Sequence, residues 1–104
     1  MEEITAYKCL NGLEKRFLQC CHQINLVDQK LDALQVRYQR VTQVNQRSRV
    51  YPLRLQIATM EGMRNLLYQY AKTKALEMSE LRRLYFDEDV EAGDYVEIPN
   101  EDED

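Results

Sequence analysis

The sequence predicts an all-α protein: two long helices in an antiparallel coiled-coil hairpin, suited to a multi-helix bundle, followed by a disordered acidic tail. Three observations carry that prediction. Apolar residues recur at alternating steps of three and four from Leu10 to Val41. Only three glycines and two prolines interrupt 104 residues, and the first proline is Pro52. At Asp87 the composition switches to eighteen residues with ten acids and no base.

The first segment, residues 1–50, holds the long helix and the turn that follows it. Its apolar ribbon is Leu10, Leu13, Phe17, Cys20, Ile24, Val27, Leu31, Leu34, Tyr38 and Val41. A repeat averaging 3.5 residues stays on one side of a slightly underwound helix and makes a narrow seam for a second helix. The pattern predicts a helix from about residue 4 to about residue 48, on the order of 65 Å long. In this register Glu14, Cys21, Asp28, Gln35 and Thr42 flank the seam on one side, and Arg16, Gln23, Lys30, Arg37 and Val44 on the other. A parallel homodimer would pair Arg16 with Cys21, Gln23 with Asp28, Lys30 with Gln35 and Arg37 with Thr42. None of these is an ion pair, so an antiparallel hairpin or a different partner fits at least as well.

The same register interprets "QCCHQ", residues 19–23. Cys20 falls on the seam, Cys21 beside it, and His22 faces solvent. Successive helical residues are about 100° apart, so the three cannot converge on one ion. The i, i+3 or i, i+4 spacing of helical metal ligands is missing. Cys20 is expected to pack as a small apolar group, with a redox disulfide across a parallel seam as the alternative. No metal and no cofactor is expected.

The seam closes at Asn45 and Ser48, and "RSRVYPL" follows. Tyr51 precedes proline and is biased away from helical dihedrals, while Pro52 suits the first turn of a new helix. A reversal is therefore expected near residues 48–52. The second helix, 51–86, carries a stripe that includes Leu53, Ile57, Met60, Met63, Leu66, Leu67, Tyr70, Ala71, Met78, Leu81, Leu84 and Tyr85. That stripe is wider than a two-stranded seam requires, and Lys74 and Glu77 interrupt it. Of these residues Ile57, Met60, Met63, Leu67, Tyr70, Met78 and Leu81 join the first-helix ribbon as the expected interface with other helices. The surplus width implies apolar surface left over once a hairpin has formed, to be covered by self-association or by a partner's helices.

Charge is distributed unevenly behind a net −4. Residues 36–86 hold ten bases against three acids, and residues 87–104 hold only acids. Arg37, Arg40, Arg47, Arg49 and Arg54 gather near the expected reversal, with Tyr38 and Tyr51 among them. Arginine interleaved with aromatics contacts phosphates and stacks on bases, although arginines also solvate helix flanks and no recognition motif accompanies these.

The tail, 87–104, has the composition of a chain that stays disordered when free. Within it Tyr95, Val96 and Ile98 form the one segment shaped for docking, an extended peptide with alternate anchors. Residues 95–98 resemble the aromatic-x-x-aliphatic motif that docks on ubiquitin-like autophagy proteins. They also resemble a tyrosine-based sorting signal and a phosphotyrosine ligand. The tail could equally fold back on the basic stretch from Arg37 to Arg54.

Function follows from what is present and missing. No nucleophile elbow, phosphate loop or metal spacing occurs, and the one histidine is solvent-facing, so catalysis is not expected. No apolar run approaches the roughly 18 residues of a membrane span. The first residues lack a secretory pattern, and three cysteines without framework spacing suit a reducing compartment, cytoplasmic or nuclear. The expected function is a non-enzymatic adaptor subunit that assembles with protein partners through coiled-coil packing, homo- or hetero-oligomeric, and presents its acidic tail. The alternative is a nucleic-acid-binding hairpin whose acidic tail is autoinhibitory.

Overall fold

The computed structural model describes residues 2–95. Two helices account for most of them: α1, Glu3–Gln43, and α2, Arg47–Tyr85. A single 3-10 turn, Ala92–Asp94, follows. There is no strand among the described residues. The helices pair antiparallel, as the apolar ribbon implied.

The reversal falls earlier than the sequence suggested. Chain direction changes at Val44–Gln46, not at 48–52, because Asn45 caps α1 in the left-handed conformation, φ 57°. Asn45 N–H donates to the Thr42 carbonyl at 3.2 Å and Gln46 N–H to the Val41 carbonyl at 3.1 Å. This pair of bonds is the Schellman motif, and asparagine tolerates its positive φ better than most side chains. Pro52 therefore sits in the second turn of α2, where it forgoes the bond its N–H would have made to Ser48.

The chain divides into two compact units, and each takes a piece of both helices. One unit is His22–Leu67. Its centre is Leu34, Val41 and Leu53, with Tyr38, Val50, Ile57 and Met60 packed around them. Ile24, Val27 and Leu31 are buried along the same side of α1. The other unit joins the chain up to Cys21 with the chain from Tyr68 onward. Ala6, Leu10, Phe17, Cys20, Ala71, Ala75 and Met78 are its buried residues, and Tyr7 meets Phe86 edge-to-face at 5.9 Å.

All ten residues of the α1 ribbon are buried or half-buried, and Ala6 extends the repeat by one four-residue step upstream. On α2 the shielded positions do not coincide with the apolar stripe: Met63, Leu66, Tyr70 and Leu84 of the stripe are exposed, while Glu61, Tyr68, Ala75, Ser79 and Arg82 outside it are buried or half-buried. Val50, Leu53, Ile57, Met60, Arg64, Leu67, Ala71, Lys74, Met78 and Leu81 are buried or half-buried, and they too alternate three and four. Arg64 and Lys74 thus occupy seam positions, each half-buried. Arg64 Nη1 lies 3.6 Å from Asp28 Oδ1, whereas its Nε is buried without a hydrogen-bond partner. Lys74 Nζ lies 3.3 Å from Glu77 Oε2 and 5.2 Å from the centre of the Tyr70 ring. A polar group at a seam position disfavours slipped registers, at a cost of about 1–3 kcal/mol when it is left unpaired.

Beyond α2, residues 87–95 make a short set of local hydrogen bonds. Asp87 ends α2 at φ 53°, with Glu88 N–H returned to the Arg82 carbonyl at 3.1 Å. Glu91 N–H donates to Asp94 Oδ2 at 2.9 Å, and Tyr95 N–H to the Ala92 carbonyl at 3.2 Å. The rest of the tail lies outside the described residues.

Candidate interaction surfaces

The cysteine–histidine stretch sits as its helical register requires. Cys20 is buried in the seam, Cys21 is half-buried and His22 is exposed. Burial pushes the Cys20 thiol pKa up, Cys21 raises it further, and a backbone hydrogen bond at Ala71 draws it partly back. Burial alone pushes Cys21 up. Among the described residues no group of three His, Cys, Asp or Glu side chains could hold a metal ion. Cys9 is exposed. At neutral pH iodoacetamide should therefore label Cys9 first and reach Cys20 only after denaturation, since the thiolate is the reactive form. Equal native labelling of Cys9 and Cys20, read by peptide mass, would remove Cys20 from the seam.

Most of the residues expected to meet other helices are taken up inside the hairpin. The ten α1 positions and Ile57, Met60, Leu67, Met78 and Leu81 line its seam. Met63 and Tyr70 do not; they are exposed on a second side of α2. In unit His22–Leu67 that side continues as Leu55, 55% exposed, and Leu66, 73% exposed. In the other unit Leu84, also exposed, falls on it. These positions follow helical spacing, so they form a row and not a scatter.

The five arginines near the reversal do not form one patch. Arg37, Arg40 and Arg49 line a groove of about 450 Å³ over Val41, Leu53 and Pro52. It adjoins a second groove of about 540 Å³, which shares Arg37 and Gln56 and adds Lys30 above Leu34, Leu55 and Met60. Arg54 is across the seam, in a separate groove of about 320 Å³ with Tyr38 and Glu61. Arg47 is exposed at the first position of α2. The split follows from α1 itself, because the two flanks of its seam face opposite sides.

A further cluster was hidden from sequence reasoning. Arg82 donates through Nε to the Tyr95 hydroxyl, through Nη1 to Glu88 Oε2 and through Nη2 to Glu14 Oε1, each at 2.6 Å. The Tyr95 ring meets Phe17 edge-to-face at 6.0 Å. Hydrogen bonding to Glu88 first, then to Tyr95 and Glu14, raises the Arg82 pKa further above its ordinary value, against the opposing effect of burial. Tyr95, the first of the expected docking anchors, is half-buried, with its hydroxyl on Arg82 of α2 and its ring against Phe17 of α1. Val96 and Ile98 lie outside the described residues. Nothing in local sequence signals this meeting, since Arg82 and Glu14 are 68 positions apart.

Compared with protein-family models, curated proteins and solved structures, the chain matches none. Among the described residues no helix is long and apolar enough to cross a membrane.

Proposed function

We propose that the chain is a non-enzymatic interaction subunit, a helical hairpin that joins further helices through the second side of α2. One observation carries this reading. Leu55, Met63 and Leu66 stand exposed in a row on a helix whose opposite side is already buried in the seam. Leaving three large apolar groups in water forgoes about 1.5–3 kcal/mol for each that a partner could bury. Met63 and Leu66 are an i, i+3 pair, and Leu55 lies about two turns before Met63 on the same side, a spacing another helix can use for its anchors.

The test is solution mass. Light scattering on the purified chain, and on the chain recovered with its bound proteins, should give a mass above the 12.4 kDa of one copy. Leu66→Asp should return it to a monomer with unchanged helical circular dichroism, since an exposed position tolerates charge. A monomeric wild type in both preparations, or assembly indifferent to Leu66→Asp, would remove the reading.

A further inference from the structure

We infer that the helix received by this hairpin is acidic and amphipathic, and that it lies in the trough formed by the two adjoining grooves of unit His22–Leu67. The inference rests on the interaction-subunit reading and adds the chemistry of the partner.

The two flanks of the α1 seam are used unequally. On one flank Asp28 is already engaged, 3.6 Å from Arg64 of α2. On the other, Lys30 and Arg37 sit two helical turns apart, and Arg40 and Arg49 stand beside them. Among the described residues none of these four cations has an ion-pair partner. The hairpin satisfies one edge of its seam internally and leaves the other edge positive.

The make-up of the trough points to the same partner. Neither groove is lined by a carboxylate, while Glu61 lines the groove across the seam. The floor is aliphatic: Leu34, Val41, Leu53, Leu55 and Met60. Leu55 also begins the exposed row that continues to Met63 and Leu66, so trough and row are one surface. A positive rim above an aliphatic floor complements a helix with apolar anchors on one side and Asp or Glu beside them.

Nucleic acid fits less well. The rim would hold phosphates, but stacking needs aromatic platforms: Tyr38 lies in the opposite groove beside Glu61, and Tyr51, though exposed, lines neither groove of the trough. Aliphatic side chains suit the floor better than base edges do.

The experiment selects the partner's charge directly. A display library of 28-residue helices, with fixed apolar heptads and flanking positions randomised among Glu, Gln and Lys, is panned against the full chain. Helices enriched on the wild type should be rich in Glu and should bind about tenfold or more weakly to the double variant Arg37→Glu, Arg40→Glu. Panning that variant should enrich Lys instead. Binding of the wild-type-selected helices should also fall with Leu66→Asp and with rising salt.

Helices that need Leu66 but show no charge preference would overturn the acidic partner and leave the interaction subunit standing. If no helix is enriched, both fall. A 20-nucleotide oligonucleotide, or a peptide of residues 87–104, that binds more tightly than the selected helices and is lost in the Arg37/Arg40 variant would assign the trough to that occupant instead.

Discussion

Replacing Ile24 and Leu31 together by aspartate should abolish the fold, seen as loss of the helical circular dichroism signal and of any assembly. Both side chains are buried in the unit His22–Leu67, Leu31 with only 2% exposure. They are seven residues apart on the same ribbon, so two carboxylates would enter an apolar seam whose cation in that stretch, Arg64, already faces Asp28. Burying an unpaired charge costs several kcal/mol, and chains of this size have only about 5–15 kcal/mol of stability to lose. The control is Leu18→Asp, at a position 66% exposed on the same helix. It should change stability by less than about 0.5 kcal/mol. A double variant that stays helical and keeps its thermal transition would mean that these positions do not face α2.

The second large effect is at Arg82. Arg82→Met keeps the aliphatic stem but removes three hydrogen bonds and strands Glu14, Glu88 and the Tyr95 hydroxyl. Hydrogen bonds to charged groups contribute about 1.5–3 kcal/mol each in protected sites. Here the Arg82 side chain is 24% exposed and its carboxylate partners more so, so about 2–3 kcal/mol for the set is the better figure. Most of that should appear as release of residues 87–95 from α1, leaving the hairpin folded. Hydrogen exchange across 87–95, and Glu-specific proteolysis at Glu88 and Glu91, should then accelerate at least about tenfold. Tyr95→Phe should give a smaller acceleration, because it keeps the ring contact with Phe17 and both carboxylate bonds. Unchanged protection in Arg82→Met would show that the strap is held by something other than this guanidinium.

Both expectations bear on what could be read before any coordinates. The α1 ribbon was legible residue by residue, because the hydrophobic effect acts on each position through a repeat that sequence displays directly. The α2 seam was legible only in part. Arg64 and Lys74 hold two of its half-buried positions, and a charged residue drops out of any apolar pattern. Met63 and Tyr70 belong to the apolar stripe yet face outward. Which half of an over-wide stripe is buried depends on the rotation of α2 against α1, and local composition does not encode that rotation. The reversal was misplaced by a few residues for a similar reason. Asn45 reads equally well as a seam position or as a helix cap, and Pro52 is a stronger local signal than the residue that turns the chain.

By itself the sequence determined the helical class, the length and side of the α1 seam, the structural placement of Cys20, and the excess apolar width of α2. All of these are periodicities or compositions, summed over neighbours within one element. Tertiary structure alone decided that Arg37, Arg40 and Arg49 share one trough while Arg54 faces another, and that Arg82 gathers Glu14, Glu88 and Tyr95 into one anchor. Such meetings depend on how two helices are rotated and staggered. That geometry is set by the whole buried seam at once, and no short stretch of the chain records it.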